Sequence, residues 1–183
     1  EIGVEYSASH FNGHWYIISN IGKRKNFALF RANELSPNKW TPYIEHRDDI
    51  LLEGIDLFTD FLVTEERSNG LLKLVIRPWE GKPHEVTLPE ETYTLYTGSN
   101  PTEKTENLRF VYTSLITPAT TYEYNMSTRE KKILKQTKIL GGYDSSKYVS
   151  YRYWATSDDG TKIPISWVGP RAVSYTHLRA HET

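Results

Sequence analysis

The sequence predicts an all-β chain made of small antiparallel sheets, and three observations carry that expectation. Short runs rich in Leu, Ile, Val, Tyr, Phe and Thr alternate with Gly, Asn, Pro and Ser turn signals, and no stretch carries a sustained helical period. Comparable runs recur about every 45 residues: NFALFRAN (26–33), LKLVIRP (72–78) and TTYEYNM (120–126) form one such set. Finally, Asp158-Asp159-Gly160 separates two β-rich runs, YRYWATS and TKIPISWV. Groups of four strands at that period are the signature of β-propeller blades. A β-sandwich is the competing architecture, since its turns also come every 8–12 residues or so, but the four-strand period favours the propeller.

The elements follow in order. HWYIISN (14–20) and NFALFRAN are separated by IGKRK, a Gly-containing loop of hairpin length. TPYIEH (41–46) is headed by Pro42, which cannot donate to a ladder and therefore suits an edge strand. GIDLFTD (54–60) runs into FLVTEER (61–67), and the turn Ser68-Asn69-Gly70 leads to LLKLVIRPW and HEVTLPE. TYTLYTGSN (92–100), LRFVYTSLI (108–116), TTYEYNM and EKKILKQ (130–136) make the third group. The stretch GGYDSSKY (141–148) is rich in turn formers and reads as a connector. After it the Asp-Gly pair predicts a hairpin through a type I′ turn, which needs φ > 0 at both central residues.

Composition narrows the function. The 183 residues suffice for a sizeable core, and with 38% hydrophobic and 13% aromatic residues the chain is not disordered. A net charge of −1 gives no footprint for a nucleic-acid partner; the most basic stretch, REKKILKQTK (129–138), alternates with apolar residues and reads as a solvated strand face. No apolar run approaches the ~20 residues needed to cross a bilayer, so no membrane partner is expected. The absence of cysteine excludes thiolate chemistry and a disulfide framework. It suits a cytoplasmic location and is compatible with a periplasmic one.

The chemistry-bearing residues do not assemble into a site. No G-x-S-x-G pentapeptide is present; Ser99 and Ser145 lack its flanking glycines. His10, His14, His46 and His84 have no clustered Asp, Glu or Cys partners and read as structural. Asp48-Asp49 and Glu65-Glu66 resemble a carboxylate dyad, but adjacent strand residues point to opposite faces and cannot converge on one bond. With no Gly-rich phosphate loop either, the expectation is no catalytic residue, no metal and no cofactor. His177 and His181 stand four apart, but the H-E-x-x-H pattern is absent. The tail around them, 174–183, resembles the translation of a DNA library adaptor, so 172–183 is set aside as a scar.

Several stretches resemble the N-terminal β-propeller of the oligopeptidase B (protease II) branch of the prolyl oligopeptidase family of serine peptidases. They are NFALFRA, DDILLEGIDLFTDFLVTEERSNGL, LRFVYTSLITPATTYEYNMSTREKKILKQ and GGYDSSKYVSYRYWATSDDGTKIPISWV. The resemblance implies part of a seven-bladed propeller over an α/β-hydrolase catalytic domain, with endopeptidase activity on short peptides after Arg or Lys. The family's Ser, Asp and His lie in that catalytic domain, so no catalytic residue is carried over. The chain then divides into a partial propeller at 1–140, with blades near 1–48, 49–91 and 92–140. A connector (141–150) and the first hairpin of a truncated catalytic domain (151–171) follow. On this reading the chain is an internal fragment whose partners are its own catalytic domain and short basic peptides; a free-standing interaction propeller is the alternative.

Overall fold

The computed structural model describes residues 2–171. Twelve strands fall into three four-stranded antiparallel sheets, each a meander in simple sequence order. The first holds β1 (Tyr6–Phe11), β2 (His14–Ser19), β3 (Ala28–Asn33) and β4 (Thr41–Ile44). The second holds β5 (Leu51–Leu57), β6 (Phe61–Ser68), β7 (Leu71–Pro78) and β8 (His84–Glu85), and the third β9 (Tyr93–Thr97), β10 (Asn107–Ser114), β11 (Thr120–Asn125) and β12 (Lys131–Gln136). A two-stranded ribbon, β13 (Tyr148–Thr156) with β14 (Lys162–Pro170), follows a single 3-10 turn at Ser145–Lys147. The recurring runs NFALFRAN, LKLVIRP and TTYEYNM are the third strands of the three sheets.

Burial along the strands shows why these are successive blades and not the two leaves of a sandwich. In β10, burial alternates, because Leu108, Phe110 and Tyr112 face inward while Arg109 points away. In β6 the first four residues are all buried, because the middle sheet is covered on both faces. Leu62 joins Phe11, Tyr16, Ile18, Leu29 and Leu52 between the first and second sheets. Val63, Leu74 and Ile76 join Phe110, Tyr112 and Tyr124 between the second and third. A strand buried on both sides reads as a continuous apolar run, and FLV at the start of β6 does so.

The turns explain the register. Asn12 and Gly13 (φ 46° and 72°) and Asn69 and Gly70 (φ 52° and 77°) close two-residue hairpins with both central residues left-handed. The Asp-Gly hairpin differs from its expected type I′ turn. Only Gly160 has positive φ there, and Gly160 N–H donates to Ser157 O at 2.9 Å while Ser157 N–H donates to Thr161 O at 3.0 Å. This is a three-residue loop, a turn followed by a left-handed glycine. Asp159 selects it by accepting hydrogen bonds from Ser157 Oγ and from Thr161 N–H, which hold its carboxyl down at a pKa of about 2.

Two strand expectations shorten. HEVTLPE contributes only His84–Glu85 to a ladder, with one further bond from Val86 N–H to Leu74 O; residues 87–92 then cross to the next sheet. Between GIDLFTD and FLVTEER the chain reverses at 58–60 without glycine or proline, as Phe58 and Phe61 exchange backbone hydrogen bonds. Pro42 lies on β4, an edge strand as its chemistry requires. The basic stretch at β12 is an exposed edge strand, where lysines discourage edge-to-edge pairing. The tail carrying His177 and His181 lies outside the described residues.

Candidate functional site

The segment 89–92 joins the second sheet to the third, and its side chains diverge. Glu90 turns into the third sheet, accepting from Tyr112 Oη and Thr117 Oγ1, each at 2.5 Å. Burial, reinforced by this neighbouring carboxylate, pushes the Tyr112 phenol far above its ordinary pKa. Glu91 and Thr92 turn the other way, toward the hairpin. Glu91 Oε2 accepts the Arg152 backbone N–H at 3.2 Å, and Thr92 Oγ1 donates to Ser166 Oγ at 2.7 Å. The Arg152 guanidinium donates through Nη2 to Asn69 O in the β6–β7 turn and lies 5.3 Å over the Trp154 ring. Around these contacts runs a cleft of about 430 Å³, lined on the blade side by Leu71, Thr94 and Ser114 and on the hairpin side by Arg152, Pro164 and Ser166.

The register of the hairpin places alternate residues on opposite faces. Ser150, Arg152, Trp154, Pro164, Ser166 and Val168 share one face, which meets the blades through Arg152 and Ser166. Tyr153, Ile163 and Ile165 share the opposite face and are exposed, Ile163 and Ile165 by nearly half (46% and 45%). A two-stranded ribbon with such a face is marginal without another layer against it.

The histidines and acidic pairs singled out in the sequence do not converge on this cleft. His10 pairs with Trp15 and His14 with Phe11 across the first hairpin, so the two imidazoles project from opposite faces of the sheet. His10 Nε2 meets Glu34 at 2.9 Å, and His14 Nδ1 lies 2.9 Å from Asn12 O. His46 lies 3.8 Å from Asp48. His84 contacts Tyr124 Oη at 3.0 Å, and burial followed by the nearby Arg129 charge lowers its pKa. Among the described residues no group of three His, Cys, Asp or Glu side chains could hold a metal ion.

Glu65 and Glu66 do point to opposite faces. Glu65 accepts from Thr97 of β9 in the third sheet. It also lies diagonally across from Asp56, whose pKa is raised first by burial and then by Glu65. Glu66 faces the first sheet and receives Arg47 at 2.9 Å, Arg77 at 2.7 Å and Thr64 Oγ1 at 2.7 Å. Burial alone would raise its pKa; these three donors outweigh it and leave the carboxyl below its ordinary value. Sequence reading passed over Arg152 and the 90–92 segment, and the available signal was modest: two acidic residues and a threonine directly after Pro89, at a point between sheets.

Residues 1–137 match the family described as prolyl oligopeptidase, N-terminal β-propeller domain. This chain belongs to the prolyl oligopeptidase family. Over 171 residues it is 42% identical to dipeptidyl aminopeptidase BI of Pseudoxanthomonas mexicana, covering 92% of this chain and 24% of that protein. Over 168 residues it is 30% identical to protease 2 of Moraxella lacunata, covering 91% of this chain and 24% of that one. Among solved structures it superposes on oligopeptidase B of Leishmania major with a TM-score of 0.84 at 26% identity, over 96% of this chain and 26% of that chain. The closed form of Trypanosoma brucei oligopeptidase B with covalently bound antipain gives 0.84 at 27% identity, with the same coverage of 96% and 26%. The chain thus spans about a quarter of the length of these relatives, and the three four-stranded sheets are part of a prolyl oligopeptidase-family propeller.

Proposed function

We propose that this chain is the substrate-gating propeller portion of an oligopeptidase B-like serine endopeptidase that cleaves short peptides after Arg or Lys. Its catalytic Ser, Asp and His come from an α/β-hydrolase domain of the same protein, and none of the residues 1–171 is catalytic. The division of the sequence into a propeller portion at 1–140, a connector at 141–150 and the opening hairpin of the hydrolase at 151–171 belongs to the same proposal, as does a cytoplasmic location. The propeller would act by restricting which peptides reach the cavity between the two domains.

One observation carries the proposal: after the propeller match ends at 137, the chain forms a hairpin that is bonded to the blades on one face and leaves Tyr153, Ile163 and Ile165 exposed on the other. A free-standing interaction propeller has no use for such a ribbon, whereas a following domain supplies the layer that it needs. A second reading, a dipeptidyl aminopeptidase, is favoured by the 42% identity to the Pseudoxanthomonas protein.

Two peptides separate these readings in the full-length protein. One has a blocked amino terminus and an internal Arg; the other has a free amino terminus and a reporter after its second residue. Cleavage of the blocked peptide after Arg supports the endopeptidase. Turnover of the free-amino peptide alone replaces it with the aminopeptidase, and hydrolysis of either by residues 1–171 alone overturns the assignment of catalysis to the other domain.

A further inference from the structure

Within the three four-stranded sheets, β12 alone is exposed at every residue, from Lys131 to Gln136, and it forms an edge of the third sheet. This openness belongs to the edge and not to a bare sheet face. Ile133 lies opposite Tyr122, on the face that packs against the second sheet, and is still 54% exposed. An edge strand carries a row of unpaired N–H and C=O groups. The side chains along this one are strongly one-signed: residues 129–138 hold five basic residues and one acidic, in a chain whose net charge is −1. Lys131 Nζ donates to Thr87 O at 2.5 Å, but among the described residues Lys132, Lys135 and Lys138 have neither a hydrogen-bond nor an ion-pair partner.

We propose that the β12 edge docks an extended acidic segment of another protein, which adds to the third sheet as a further strand. Backbone pairing at an edge supplies affinity without regard to sequence, so the side chains decide which strand is admitted. Lys132, Lys135 and Lys138 repel a second copy of β12 by like charge and attract carboxylates. Between them Ile133 and Leu134 are 54% and 41% exposed and supply apolar contact. That mixture fits a partner in which acidic and apolar residues alternate. The register shift between Thr121 and Tyr122 leaves Leu134 without a partner on β11 and shortens the regular edge, which limits unselective pairing. The same charge turns away basic peptides, so this surface is separate from any substrate site and does not depend on the peptidase reading.

The test uses the full-length protein and a fluorescently labelled peptide of alternating Asp or Glu with Val, seven residues long and free of Arg and Lys. Binding, read by anisotropy, should weaken about tenfold when Lys132→Gln, Lys135→Gln and Lys138→Gln are combined, the scale of three solvated ion pairs. It should also fall as salt is added. Bound peptide should slow amide exchange at 131–136 by about tenfold while 28–33 are unchanged. A peptide with Pro in place of each Val keeps the charge but cannot form a ladder, and should give no protection. The exchange measurement needs no variant. Binding to the triple variant within about twofold of wild type, or exchange at 131–136 unaffected by bound peptide, overturns the proposal. Tighter binding of a single-stranded oligonucleotide or a phosphatidylserine vesicle through the same lysines also overturns it, by assigning the edge to another class of partner.

Discussion

Replacing Glu66 by alanine tests whether the first and second blades are locked by a desolvated ion cluster. The Glu66 side chain is 5% exposed, with Arg47 and Arg77 closing on it from different elements. Removing one member of a buried ion pair costs roughly 3–5 kcal/mol, because a charge is left without compensation. Here two guanidiniums would be left facing each other, but their side chains are 31% and 22% exposed and can recover some hydration. The expected loss therefore falls at the low end, about 3 kcal/mol. Glu66→Gln keeps an acceptor for Thr64 and Arg77 and should cost less, about 2 kcal/mol, the scale of a charge-assisted hydrogen bond.

The assay is native-state amide exchange under mild urea in the full-length protein, read at 62–66 and 74–77, which reports the local opening free energy. The pH dependence supplies an internal control. Because the folded-state pKa of Glu66 lies below its ordinary 4.5, its stabilisation is complete above that value and is lost as pH falls through the depressed one. The Glu66→Gln penalty should therefore be full at neutral pH and shrink in that acid window. A Glu66→Ala loss below about 1 kcal/mol, the scale of a solvated surface pair, would refute the claim that the cluster is dry.

Three further outcomes follow from the same packing. Phe110 is fully buried between the second and third blades and stacks on Tyr122 at 5.3 Å, so Phe110→Ala should destabilise by about 4 kcal/mol in denaturant titration. Asp56→Asn should stabilise at neutral pH by about 0.5 kcal/mol, the scale of a like-charge contact across neighbouring strands. The Asp56 pKa is raised, so its ionisation penalises the folded state as pH rises, and a thermal-melt gain that persists below pH 3.8 would contradict that cause. Gly70→Ala forces a side chain onto φ +77° and toward Arg152; a melting temperature equal to wild type would show that neither the turn nor the Arg152–Asn69 contact needs glycine there, against an expected loss of about 1–2 kcal/mol.

Much of the fold was legible locally. Tyr16, Ile17 and Ile18, or Leu62 and Val63, announce strands through β-rich runs, and Asn12-Gly13 and Asn69-Gly70 announce tight hairpins, because both signals act within a few residues of backbone. Less legible was the geometry that side chains impose on the backbone. The loop at 158–160 takes another form because Asp159 bonds its neighbours, and HEVTLPE leaves its sheet early to cross to the next blade. The acidic pair Glu65-Glu66 was correctly read as divergent from strand geometry alone, but where each carboxylate went was not readable.

The sequence by itself determined most of the strands, their four-strand period and the hairpin after the third sheet, all consequences of alternation and turn chemistry over short spans. Only the tertiary structure decided that Arg47 and Arg77 close on Glu66 from two elements, and that Arg152 reaches Asn69, 83 residues earlier in the chain. Such meetings depend on how one sheet stacks on the next. That stacking is set by the summed burial of many apolar side chains and is not encoded near either partner.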